Sequence, residues 1–254
     1  MTSATNPPLA LWTTPRSVST AFERMIMERG DFTVLHEPFS EHYYYGPGKR
    51  SDRYEAIRPH ATPTRILEAI DDAGTERRVF LKDMASHVRD LVDPGFVARF
   101  QHTFLVRDPA WALPSLEAKW PDFTEEEAGY TALAELVDAV DAAGEQPVII
   151  DSLDVRSDPR GTIGAYCAAV GIPFVPDALE WSPGMPGGWE LWEDWHHDVA
   201  ASDGFRPRAP GPPPEPGPRA RAVYDACRGV YDRLWPRRVR AAATQDQRFE
   251  GNGS

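Results

Sequence analysis

Residues 13–20 combine hydroxyl side chains with one arginine, a composition that suits the binding of an anion. They read Thr-Thr-Pro-Arg-Ser-Val-Ser-Thr and lie between a short apolar run and a helical pattern. Free backbone N–H groups and the helix dipole favour a negative ligand at such a position, and Arg16 adds donors that match phosphate or sulfate oxygens. The alternative is that Ser17 or Ser19 only caps the helix while Arg16 lies in solvent. The segment contains no glycine, so it is not the Gly-x-x-x-x-Gly-Lys loop of nucleotide triphosphatases.

Five short apolar runs alternate with helical patterns, which predicts an α/β protein with a central five-stranded parallel sheet between two layers of helices. The runs are Leu9–Trp12, Phe32–Leu35, Val79–Leu81, Thr103–Val106 and Val148–Ile150. Ligands of such sheets bind beyond the C-terminal ends of the strands. The polar residues at those ends are Arg16; His36 and Glu37; Lys82 and Asp83; Arg107 and Asp108; and Asp151. Their convergence on one edge of the sheet predicts a ligand site there.

The composition indicates one globular α/β domain over residues 1–254 and excludes several classes of function. The chain has 254 residues, of which 41% are hydrophobic, and a net charge of −12, which argues against a general nucleic-acid or anionic-membrane binder. It has neither an apolar run near the ~18 residues of a membrane helix nor a signal-peptide pattern at its start. Cys167 and Cys227 lack metal or redox spacing. We therefore expect a cytoplasmic protein without a bound metal.

Two segments have no regular hydrophobic period. Residues 40–63 are aromatic and polar and are long for a connection, which predicts a substrate-covering loop, with a disordered surface insert as the alternative. Residues 206–219 contain seven prolines, which predicts an extended or disordered segment before the C-terminal helix. Between them, Thr124 and Glu127 form a capping-box pattern that predicts one long helix ending near Gly144.

Two separated motifs together resemble the sulfotransferases that use 3′-phosphoadenosine 5′-phosphosulfate (PAPS) as donor. The first is the segment 14–20, and the second is Phe104–Pro109 with Ser115 eight residues beyond Arg107. The pairing looks closest to bacterial small-molecule sulfotransferases of secondary metabolism, and it implies their P-loop-like fold. The resemblance also implies metal-free transfer of a sulfuryl group, with PAP (adenosine 3′,5′-bisphosphate) as the second product. The residues it assigns to the 5′-phosphosulfate are Arg16, Ser17, Val18, Ser19 and Thr20, and those for the 3′-phosphate are Arg107 and Ser115.

The catalytic residues depart from the family pattern. Most members have Lys and Gly where this chain has Arg16 and Val18, and animal members have Lys-Thr-His where it has Lys82-Asp83-Met84. Lys82 matches the lysine that approaches the transferring group, but the histidine base is missing. Some bacterial relatives use a glutamate just after the second strand, which points to Glu37. His36 is adjacent and would face the other way if the strand continued; His87 and His196 are further candidates.

We therefore expect in-line transfer of a sulfuryl group to a hydroxyl or amine of a small-molecule acceptor. One rival is a phosphoryl-transfer enzyme of the same layered fold, which would need magnesium and a triphosphate. The other is a PAP-binding protein without catalysis. The tyrosines at 43–45 and the tryptophans at 181–195 suggest an apolar or aromatic acceptor pocket, but they could equally be core. The acceptor, the oligomeric state and the fate of the sulfated product stay open.

Overall fold

The computed structural model describes residues 6–209 and 211–241. Its centre is a parallel sheet of five strands in the order β2-β3-β1-β4-β5, which confirms the predicted sheet. The strands are β1 Leu9–Thr13, β2 Phe32–His36, β3 Arg78–Met84, β4 Gln101–Val106 and β5 Val148–Asp151. The strand order changes direction at β1, so the loops after β1 and its neighbours lie side by side at one edge.

Helices connect the strands and cover both faces of the sheet, which confirms the three-layer α/β sandwich. They are α1 Ser19–Arg29, α2 Ser40–Tyr45, α3 Pro63–Ala73, α4 Pro94–Val97, α5 Pro109–Glu117, α6 Glu125–Ala128, α7 Tyr130–Ala142, α8 Ser152–Ser157, α9 Pro159–Val170, α10 His197–Ala200 and α11 Pro218–Leu234. Single-turn or 3-10 segments occupy Ala85–Leu91, Pro176–Leu179, Glu190–Trp195 and Trp235–Arg237. No helix in the described part of the chain has the length and apolar character needed to span a membrane.

Alternate residues of the central strand β1 face the two halves of the core. Ala10 and Trp12 pack with the helices α5, α7 and α11, while Leu9 and Leu11 pack with α1 and α9. All four residues are fully buried. A strand buried on both faces reads as a continuous apolar run, which is why sequence alone could locate it.

The structure corrects two predicted boundaries. The helix predicted after Thr124 is two helices, because Gly129 adopts a left-handed φ of 79° and breaks the ladder between α6 and α7, although the capping box itself is present. The segment 40–63 is also not a loop throughout. Residues 40–45 form α2, where three tyrosines are buried against other aromatic rings, and regular structure is absent only between 46 and 62.

Up to residue 217, the Pro-rich segment has no regular secondary structure wherever the structure describes it; whether it is extended stays a prediction. Residues 206–209 and 211–217 contain no helix or strand, and α11 begins at Pro218; Pro210 lies outside the described residues. In α11, Cys227 and Leu234 are buried, as their spacing indicates, and Cys167 is buried in α9.

Arg53 anchors the irregular segment 46–62 to the body of the protein. Its guanidinium donates to both carboxylate oxygens of Glu127 at 2.8 Å and to Asp122 at 3.0 Å. It also lies 4.1 Å from the ring centroid of Trp120. A bidentate charge-assisted pair combined with a cation–π contact is among the stronger surface interactions, so we infer that Arg53 holds this segment in place.

We predict that Arg53→Ala opens the segment 46–62 and speeds its cleavage by thermolysin about tenfold, which corresponds to ~1.4 kcal/mol of local stability. Arg50→Ala is the matched control, since Arg50 is exposed in the same segment. Equal cleavage of both variants, followed by mass spectrometry of the fragments, would show that Arg53 does not hold the segment.

Candidate active site

The backbone turns sharply after the first two strands. Arg16, Val18 and Glu37 have φ values of 62°, 63° and 42° and are the only non-glycine residues in the described chain with positive φ. Left-handed conformations cost non-glycine residues about 1–3 kcal/mol and cluster at functional sites. Directly after β2, the Glu37 N–H donates a hydrogen bond to the Lys82 carbonyl at 2.8 Å. The strain therefore marks the edge of the sheet at which the sequence predicts a ligand.

The simple capping alternative for Ser17 and Ser19 is wrong. The N-cap of α1 is Val18, and no side chain caps the helix. The Ser17 hydroxyl instead donates to the carbonyl of Thr14 at 2.7 Å, within the loop itself. An uncapped helix start next to Arg16 keeps the features of an anion site.

A cavity of about 270 Å³ lies at the C-terminal ends of β1 to β4. Most of the predicted site residues line it, namely Arg16, Ser17, Val18, Ser19, Thr20, Glu37 and Arg107. Ser115 lies behind Arg16 and accepts a hydrogen bond from its Nε at 2.9 Å. Lys82 is fully buried behind Glu37, and His36 stands behind His196. The topology therefore gathers all the predicted residues in one place.

Arg16 and Arg107 place two desolvated cations at one end of the cavity. Arg107 donates through Nη1 to the Arg16 carbonyl, which joins the two sequence motifs directly. Its Nε is buried without a partner in the described structure. Burial, with the nearby charges of Arg156 and Arg16, lowers the pKa of Arg107 to about 10. Burial also lowers the pKa of Arg16, opposed by Asp198. An unsatisfied buried donor and adjacent cations fit a polyanionic ligand.

Lys82 lies between two buried carboxylates. Its ammonium pairs with Glu37 Oε1 and lies 3.7 Å from Glu23 Oε2. Burial alone would raise the pKa of Glu37, but the charges of Lys82, His36 and His87 outweigh it and lower the pKa to about 2. Burial likewise opposes a charged Lys82, yet Glu37 and Glu23 raise its pKa overall. The pair is therefore ionised at neutral pH.

Glu23 escaped sequence reasoning, as did its contact with Trp189. Glu23 lies on the apolar side of α1, between Phe22 and Met25, and is fully buried. Trp189 donates to its Oε1 at 3.0 Å, across 166 residues of chain. The signal that could have revealed Glu23 was an acidic residue inside an apolar helix face, since a buried carboxylate requires partners.

Aromatic rings also line the cavity. Tyr44 lies 5.4 Å from Trp192 and 6.1 Å from Trp120, and Trp120 lies 4.7 Å from Trp195, measured between ring centroids. All four line the cavity. The predicted aromatic region is thus partly pocket and partly core, because Tyr43 and Trp189 are buried away from the cavity.

Three acidic residues predicted at the strand ends serve the structure instead. Asp83 accepts from the Phe39 N–H, while Asp108 and Asp151 cap α5 and α8. Among the residues that the structure describes, no group of His, Cys, Asp or Glu could hold a metal ion.

The family model described as "Sulfotransferase domain" matches residues 9–228 of the chain. The protein belongs to this family. Its curated relatives include branched-chain-amino-acid aminotransferase-like proteins 1 and 2 of Arabidopsis thaliana, each 27% identical over 76% of the chain. The sulfotransferase chain spans about a third of their length, 36% and 35% respectively.

Two solved sulfotransferase domains are similar in structure. One belongs to the curacin biosynthetic pathway, with 13% identity, a TM-score of 0.46 and coverage of 92% of this chain and 99% of the other. The second belongs to the olefin synthase of Synechococcus PCC 7002, with 15% identity, a TM-score of 0.47 and coverage of 88% and 96%.

We predict that Arg107→Met raises the free energy of unfolding without ligand by about 1 kcal/mol, because burial penalises the cation. The folded-state pKa lies below the ordinary 12.5, so this penalty is fully present below pH 10 and the gain appears at neutral pH. Urea denaturation measures it, with exposed Arg77→Met as control. Stabilisation by added pyrophosphate should disappear in the same variant; a large loss of stability instead would make Arg107 a structural residue.

Proposed function

We propose that the protein transfers a sulfuryl group from PAPS to a hydroxyl or amine of a small-molecule acceptor, in line and without metal. The observation that carries the proposal is the contact between the two motifs. Arg107 bonds to the Arg16 backbone and Ser115 to the Arg16 side chain, so one continuous cationic surface can meet both anionic ends of such a donor. Family membership supports the same reaction.

The residues that would hold the donor fit its charge. Arg16, with the backbone N–H groups of residues 17–20, suits the 5′-phosphosulfate at the uncapped start of α1. The unpartnered Nε of Arg107 suits the 3′-phosphate, with Ser115 alongside. PAPS would supply an activated sulfuryl group, and the chain would supply position and charge.

Lys82 is proposed to stabilise the charge that develops on the leaving phosphate. Because its ammonium pairs with Glu37 in the structure, this role requires Lys82 to turn from Glu37 toward the donor. Glu37 would then lose its counter-ion and become more basic, which is the condition under which it could accept the acceptor's proton, as predicted from sequence.

The first test of the proposal is binding. PAP should stabilise the protein far more than AMP, by about 2.7 kcal/mol at one hundred times its dissociation constant, because PAP alone carries the 3′-phosphate. Thermal denaturation with PAP, AMP and ATP with magnesium measures this. Equal stabilisation by PAP and AMP would show that the protein has no 3′-phosphate site. Magnesium-dependent turnover of ATP would favour a kinase.

The second test concerns Lys82. Lys82→Met should lower turnover of PAPS roughly 10²–10³-fold while leaving PAP affinity nearly unchanged, because it removes stabilisation felt in the transition state. The variant leaves Glu37 and Glu23 without their cation, which destabilises a buried site. The double variant Lys82→Met with Glu37→Gln relieves this charge and is the control for folding. If PAPS turnover and PAP affinity fall by the same factor, Lys82 only binds the nucleotide and does not stabilise the transition state.

A further inference from the structure

A chain of hydrogen bonds runs from the buried Glu23 to the cavity through two histidines. His36 Nδ1 lies 2.8 Å from Glu23 Oε2, and its Nε2 lies 3.0 Å from Nε2 of His196. The other nitrogen of His196, Nδ1, lies 3.4 Å from the Thr20 hydroxyl. Thr20 and His196 both line the cavity, so the chain has one buried end and one end at the site.

When both imidazoles are neutral, their partners assign a proton to one nitrogen of each. Glu23 faces three donors or cations, namely Trp189 Nε1, His36 Nδ1 and the Lys82 ammonium, so it accepts and the proton lies on His36 Nδ1. In the neutral form of His36, Nε2 is bare and accepts the Nε2 proton of His196. His196 Nδ1 is consequently left with a lone pair at the cavity side.

One added proton can move along this chain of hydrogen bonds in two steps. A proton bound at His196 Nδ1 allows its Nε2 proton to pass to His36 Nε2. The positive charge then resides on His36, against the Glu23 carboxylate, rather than on His196. Burial, followed by the charges of Lys82 and His36, lowers the pKa of His196 to about 3, so His196 alone is a weak base and the relay requires the charge to pass on to His36.

We propose that His196 removes the proton of the acceptor hydroxyl, and that His36 and Glu23 position it and take up the charge. The inference rests on the proposed function. As the acceptor oxygen bonds to sulfur, its O–H bond breaks and the proton passes to His196 Nδ1. The sulfur–oxygen bond to the leaving phosphate breaks, and its electron pair stays on that phosphate. In this scheme His196, and not Glu37, accepts the proton, whether Lys82 is still paired with Glu37 or has turned toward the donor.

The first test reads the proton positions without any reaction. Nitrogen-15 NMR of the histidine-labelled full chain should show His196 with a bare Nδ1 and His36 with a protonated Nδ1, assigned by the signals lost in His196→Gln and His36→Gln. Glu23→Gln should weaken the His36 preference. The same tautomer at both histidines would overturn the relay, whether or not PAP binds.

The second test separates a base from a structural residue. PAPS is offered with phenol, largely un-ionised in mildly alkaline buffer, and with 4-nitrophenol, largely ionised there. His196→Gln should lower turnover of phenol about 10²–10⁴-fold but that of 4-nitrophenol less than about tenfold, because an ionised acceptor needs no base. Exposed His197→Gln is the matched control.

The outcomes distinguish this relay from its alternatives. Equal losses with both phenols would leave His196 only a structural role. Inactive Glu37→Gln beside active His196→Gln would make Glu37 the base. Absence of both PAP binding and PAPS turnover would refute the proposed function itself, and the relay would then be decided by the NMR result alone.

Discussion

The buried ion pair between Lys82 and Glu37 is the interaction on which the arrangement of the site depends. A lysine at the end of a central strand, wholly removed from water, is stable as a cation only beside carboxylates. Glu37 reaches it because the backbone leaves β2 with a positive φ, and Glu23 reaches it from α1. The charge of one side chain thus links the residue after β2, the helix α1 and, through Glu23, His36.

In the neighbouring anion site, by contrast, positive charges lack paired negative charges. Arg16 and Arg107 are desolvated without a carboxylate of their own within ion-pair distance, in the part of the chain that the structure describes. The loop that carries Arg16 holds two non-glycine residues, Arg16 and Val18, in left-handed conformations. Each feature costs stability in the ligand-free protein and is retained where pre-organisation is useful. A polyphosphorylated ligand would supply the missing negative charge, so the site is complementary to what it would bind rather than to itself.

Sequence predicted the parts of this structure that depend on short-range pattern. The strands were predicted correctly because parallel strands buried on both faces read as apolar runs. The loop 13–20 and the Arg107 motif lie close together because the C-terminal ends of the strands meet at one edge of the sheet. Glu23 and Trp189 were missed because nothing in the sequence near either residue indicates the other. The break at Gly129 was missed because a capping box predicts where a helix starts and not where it stops. The tyrosines of α2 were placed in a loop because aromatic residues without a period fit a loop or a packed turn equally well.

The net charge of the buried cluster of Glu23, Glu37 and Lys82 bears on where the proton released in the proposed reaction can go. With both imidazoles neutral, the buried side chains of Glu23, Glu37 and Lys82 together carry one net negative charge, and Glu37 also lines the cavity. Burial of a net charge is costly, and one added proton would bring the charge of these three side chains and two imidazoles to zero. Sulfuryl transfer to a hydroxyl releases one proton, and the His196–His36 chain leads from the cavity to the carboxylate that can stabilise it. The same buried lysine that keeps Glu37 from being a strong base therefore leaves Glu23 as the group whose charge the proton can neutralise.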